Sequence, residues 1–68
     1  MKIYYDNKDD LLYLRFVSEA KNIRNIEVAE NIVLDLDEEN KIVGIEILNA
    51  SENIELSELL PVIYEKAV

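Results

Sequence analysis

The sequence contains no cysteine, no histidine and no tryptophan, and only one glycine and one proline among its 68 residues. Each absence removes a class of chemistry. Without cysteine there can be no disulfide and no zinc–thiolate site. Without histidine or cysteine the usual general bases and thiol nucleophiles are missing. Ser18, Ser51 and Ser57 fall in loops or caps with no base beside them, leaving a Ser–Lys pair as the one nucleophilic alternative. Gly44 alone cannot build a glycine-rich phosphate loop. No apolar run approaches the ~18 residues of a membrane span, and Met1-Lys2-Ile3 begins no signal peptide. A cytoplasmic, non-enzymatic protein is expected, with no catalytic residue, no metal ligand and no cofactor.

What is present is apolar and acidic. Hydrophobic residues make up 50% of the chain, too many for a disordered segment. Fifteen acidic residues against seven basic ones give a net charge of -8. The imbalance argues against direct nucleic-acid binding, because phosphate contacts need a basic face. The acids are uneven: residues 1–34 carry a net -1 and residues 35–68 a net -7. A negative C-terminal half suits a basic protein partner, or simply keeps the chain in solution. A single domain of this length buries only about 60% of its unfolded surface. Its core alone supplies no more than roughly 3–5 kcal/mol, so self-association, as a homodimer, is expected.

The residue pattern predicts an α+β domain, mostly β: an antiparallel meander of five short strands with a C-terminal helical segment. Lys2–Tyr5 reads as the first strand and Leu11–Val17 as the second, separated by the turn-forming run Asp6-Asn7-Lys8-Asp9-Asp10. The second strand is apolar on both faces, Leu12, Leu14 and Phe16 against Leu11, Tyr13 and Val17, as a strand covered on two sides would be. Ile26 and Val28 mark a third strand, Ile32–Asp37 a fourth and Ile42–Asn49 a fifth. A three-residue connection, Ala29-Glu30-Asn31, pairs Val28 with Ile32 and Ile26 with Leu34, with Asn31 left-handed. The turn Glu38-Glu39-Asn40-Lys41 pairs Leu36 with Val43, Leu34 with Ile45 and Ile32 with Ile47. Gly44 then faces Asp35, suggesting a bulge or close backbone approach. Leu56, Leu59, Leu60 and Ile63 form a helical stripe that Ser57 could cap. Pro61 interrupts it, so a helix or pair of short turns between Ser57 and Lys66 is expected.

Several stretches together carry a family resemblance: Ile3-Tyr4-Tyr5-Asp6, Asp10-Leu11-Leu12-Tyr13-Leu14, and Glu27 to Asp35. The fullest is Asp37-Glu38-Glu39-Asn40-Lys41-Ile42-Val43-Gly44-Ile45-Glu46-Ile47-Leu48, followed by Asn49-Ala50-Ser51. In these the chain resembles the domain-of-unknown-function family 2283, short prokaryotic proteins. The family pattern has glycine where Asn31 and Asn40 stand, and asparagine keeps the left-handed geometry. It has aspartate where Asn49 stands, which argues against a role needing a carboxylate there. The resemblance implies a small β-meander with a C-terminal helical piece and no established activity. It also implies an antitoxin-like role, since such genes can neighbour small toxin-like genes.

Three surfaces are candidates for function. Asp35 and Asp37 share a face with Glu46 on the neighbouring strand, an acid–base pair if burial separates their pKa values and otherwise a solvated polar face. The acidic turns, Asp35, Asp37, Glu39 and Asn40 or Asp6, Asp9 and Asp10, could bind a divalent cation weakly. The spacing fails the calcium-loop pattern. Among the tyrosines, Tyr13 beside Leu11 and Val17 offers an association surface. The expected interaction surface is therefore Leu11, Tyr13, Val17, Asp35, Asp37 and Glu46.

Overall fold

The computed structural model describes residues 1–67. Five strands form one open antiparallel sheet: β1 (Lys2–Asp6), β2 (Leu11–Arg15), β3 (Arg24–Ala29), β4 (Ile32–Leu36) and β5 (Ile42–Leu48). They are followed by a four-residue helix, α1 (Ala50–Asn53), and a 3-10 turn over Leu56–Glu58. The spatial order is β1-β2-β5-β4-β3. A hairpin, β1β2, and a three-strand meander, β3β4β5, are thus joined edge to edge through β2 and β5. β5 becomes the central strand, and β1 and β3 are the open edges.

Left-handed residues make the turns. Asp10, Asn22, Asn31, Asn40 and Asn49 all have positive φ, a conformation Asn and Asp adopt at least cost after glycine. In the β1–β2 turn Asp6 accepts the backbone N–H groups of Lys8 and Asp9 at 2.9 and 3.3 Å. In the β4–β5 turn Asp37 accepts those of Glu39 and Lys41 at 2.8 and 2.9 Å.

The register largely follows the alternation of the sequence. Ile26 opposes Leu34, Leu34 opposes Ile45 and Ile32 opposes Ile47. Two bulges change the rest. Val28 is an extra residue in β3, so Ala29 rather than Val28 opposes Ile32 and the connection shortens to Glu30-Asn31. A second irregularity beside Asp35 puts Ile42 rather than Val43 opposite Leu36.

Cross-strand neighbours share a face, so each face carries complete five-strand rows. One face is apolar: Ile3, Leu14, Ile45, Leu34 and Ile26 in one row, and Tyr5, Leu12, Ile47, Ile32 and Ala29 in the next. The other is polar: Lys2, Arg15, Gly44, Asp35 and Asn25, then Tyr4, Tyr13, Glu46, Val33 and Glu27. The enclosed core is small, with Leu12, Val43 and Ala50 its only fully buried hydrophobic residues among those described.

The C-terminal segment differs from the helix expected over Ser57–Lys66. The helical turns come earlier, Ser57 lies inside the 3-10 turn, and residues 62–67 have no regular structure. Leu59 is half-buried, but Leu60 and Ile63 of the expected stripe are exposed. Pro61 supplies no backbone donor and disfavours helical geometry at Leu60; the Leu60–Pro61 peptide is cis.

Candidate functional site on the polar sheet face

Asp35 is the buried polar residue of the described chain, only 6% exposed although it lies on the polar face. Its position on β4, next to central β5, sets it among side chains from three other strands. Asn25, directly opposite on edge strand β3, donates a side-chain N–H to its Oδ1. From β2 the Tyr13 hydroxyl reaches it across Gly44. From β5 Glu46, one pleat along the face, brings a second carboxyl beside it.

Gly44 makes this convergence possible. A Cβ there would sit 2.6 Å from Tyr13 Oη and 2.7 Å from two ring carbons. The tyrosine ring therefore lies directly on the bare backbone of β5, filling the space a side chain would take. Gly44 opposes Arg15 on one side and Asp35 on the other, so the ring bridges the basic and acidic halves of the row.

The electrostatics follow from this packing. Burial pushes the Glu46 carboxyl above its ordinary 4.5, and the hydrogen bond and negative charge of Asp35 push it the same way. Burial likewise raises the Tyr13 hydroxyl above its usual 10.0, reinforced by Asp35 and opposed by Arg15. The arrangement places Glu46 beside the Asp35 carboxyl, whose charge opposes its ionisation. Above them opens a shallow cavity of about 540 Å³, lined by Lys2, Tyr4, Leu11, Tyr13, Arg15, Ser18, Asp35 and Glu46.

Of the six residues expected from sequence, Leu11, Tyr13, Asp35 and Glu46 line this one cavity. The other two lie elsewhere. Val17 is beyond the end of β2, in an adjoining hollow with Met1 and Phe16. Asp37 lies outside β4, its carboxylate engaged by its own turn. The sequence reading passed over Arg15 and Asn25. Their signal was present: Arg15 continues the Leu11, Tyr13 alternation, and Asn25 opposes Asp35 once Ile26 is paired with Leu34.

A second polar cluster ties the opposite corner together. Asp10 accepts the Ser51 hydroxyl at 2.6 Å, the Ser51 backbone N–H at 3.0 Å and the Tyr5 hydroxyl at 2.7 Å. The Ser51 and Tyr5 bonds hold its carboxyl below its usual 3.8. Nearby, Asn49 Nδ2 donates to Asn31 Oδ1 at 3.2 Å. This cluster joins the β1–β2 turn to the start of α1. Its groups are spent on one another, which makes it structural. Among the described residues, no three Asp or Glu side chains gather in a way that could hold a metal ion. No helix there is long and apolar enough to cross a membrane.

The model of a family described as "Protein of unknown function (DUF2283)" matches residues 2–51, the whole sheet through Ser51. No curated protein and no solved structure matches. The match indicates no enzyme family.

Proposed function

The chain belongs to the DUF2283 family of proteins of unknown function, and from that premise we propose that it is a non-catalytic, cytoplasmic protein-interaction module. Its polar sheet face receives a cationic side chain of a basic protein partner, in the manner of a small antitoxin. The observation that carries this reading is the Asp35–Glu46 pair on the floor of an open cavity. With no cation beside them, the charge of Asp35 and burial together disfavour ionisation of Glu46. An incoming lysine or arginine side chain would offset the Asp35 charge and favour ionisation of Glu46, displacing any proton it carries, with Asn25 holding the Asp35 acceptor in place. Lys2 and Arg15 flank the cavity but leave the pair unneutralised, since Glu46 remains raised.

The wider surface points the same way. Among the described residues the one ion pair is Lys41 with Glu39, at 3.4 Å and exposed on both sides. Among the described residues the other acids have no basic side chain paired with them, and a field of that sign accelerates encounter with a basic protein. Cation binding by the acidic turns gains no comparable support, because Asp6 and Asp37 each satisfy their own turn.

The reading is tested by calorimetric titration of the full chain with a hexa-arginine peptide at near-neutral and mildly acidic pH. Binding is expected to release a proton, so the measured heat changes with the ionisation enthalpy of the buffer. Glu46→Gln is expected to abolish that buffer dependence, and Asp35→Asn to weaken binding by about tenfold, the equivalent of one lost charge-assisted bond. Binding with no proton release, or binding indifferent to both substitutions, contradicts the proposal.

A further inference from the structure

We infer that the apolar face of the sheet is the interface of a homodimer, two copies of this chain meeting face to face about a two-fold axis. The inference stands apart from the polar face and needs no property of it. Ten residues form the two central rows of the apolar face, none of them charged, and Leu12 alone is fully enclosed. Ile26 and Ile32 are 37% and 36% exposed, on a face whose composition is that of a domain interior. Domains are built from packed layers, and here the second layer is only partial: after β5 Ala50 is buried and Ile54, Leu56 and Leu59 are half-buried, while Ile26, Ile32 and Tyr5 of this face stay exposed. The chain's own tail does not complete that layer, since Leu60, Val62, Ile63 and Tyr64 are themselves exposed.

The size of the deficit matches a second copy. A folded monomer of 7.9 kDa has an accessible surface of about 4,400 Å² by the usual mass scaling. This chain exposes 5644 Å², about 1,200 Å² more than that scaling gives, an excess to which both the apolar face and the exposed residues 60–67 contribute. A stable interface buries about 800 Å² on each partner, so one copy laid against another removes most of the excess. The shape agrees: the radius of gyration is 13.0 Å where a compact chain of this length has ~11 Å. The thinnest dimension of the molecule is 20 Å.

Charge selects a second copy over the basic partner for this face. The ten residues offer such a partner no counter-charge, whereas an uncharged, self-complementary apolar face suits an isologous contact. Face-to-face packing at about 10 Å between sheets also leaves both polar faces outward. Their cavities stay open, and their negative charges are separated by two layers of protein.

Sedimentation velocity of the full chain at micromolar concentration tests the inference. The expected result is a species of twice the 7.9 kDa chain mass. Ile26→Glu and Ile32→Glu are each expected to raise its dissociation constant at least about tenfold, while Tyr4→Ala, on the opposite face, leaves it unchanged. Should a glutamate variant fail to fold, the wild-type melting temperature decides instead, since for a dimer it rises with protein concentration. A monomer with a concentration-independent melting temperature overturns the inference. So does a dimer that both glutamate variants leave intact or that Tyr4→Ala dissociates.

Discussion

Tyr13 and Gly44 show how much one absent side chain decides. A ring laid on bare backbone is stable only while nothing larger than hydrogen occupies position 44, because a Cβ at 2.6 Å lies well inside contact distance of the hydroxyl. The tyrosine would have to swing off β5, and with it would go the hydroxyl that approaches Asp35. Gly44→Ala is therefore expected to destabilise the protein by about 1–3 kcal/mol, the usual cost of overpacking. In a Tyr13→Ala background the same substitution should cost clearly less, because the clash has been removed. Denaturant unfolding of the four proteins measures this as a coupling energy; equal costs in both backgrounds would mean the ring does not rest on Gly44. The sequence marked Gly44 as a close approach opposite Asp35 but did not name the approaching group. Tyr13 reaches it from β2, and nothing local in either segment shows that those strands are neighbours.

At the scale of elements, alternation was legible and insertion was not. The pairings of Leu34 with Ile45 and Ile32 with Ile47 were readable because a one-residue slip would turn those apolar residues to the wrong face. A bulge adds a residue without disturbing the pattern on either side, so Val28 and Val43 each seem, in sequence, to continue the ladder they interrupt. The C-terminal stripe misled for a different reason. Its helical spacing is real, but Pro61 denies it continuity, and the chain instead makes a short turn directly after β5. That turn is anchored by Asp10 through Ser51, a contact spanning 41 residues, which no local pattern reveals. The anchor has a pH signature. The folded pKa of Asp10 is lowered, so its contribution to stability is full above the unfolded value of 3.8 and is lost as pH falls through the lower folded one. Asp10→Asn should leave a protein less stable at neutral pH but with a flatter acid limb below pH 3.8, readable from denaturation midpoints. An unchanged acid limb would show that the Ser51 and Tyr5 bonds do not act on this carboxylate.

The whole molecule is a sheet with two faces of opposite character. Its apolar face is only partly covered, with Ile26, Ile32 and Tyr5 exposed, and its polar face holds a buried Asp35 beside a Glu46 whose ionisation is disfavoured. Chain length raises the expectation of self-association, and net charge that of a basic partner. The association surface read from sequence, Leu11, Tyr13 and Val17, falls on or beside the polar cavity, because β2 is flanked by β1 and β5 and sends Tyr13 toward Asp35. The central functional claim is that Asp35 disfavours ionisation of Glu46 until a partner's cation offsets its charge. Carboxyl-carbon NMR titration of Glu46 tests it most directly. The free protein should give a midpoint above 4.5, and both Asp35→Asn and saturation with hexa-arginine should bring that midpoint down. A Glu46 that titrates at its ordinary value in the free protein, or whose midpoint ignores both Asp35 and the peptide, would contradict the account.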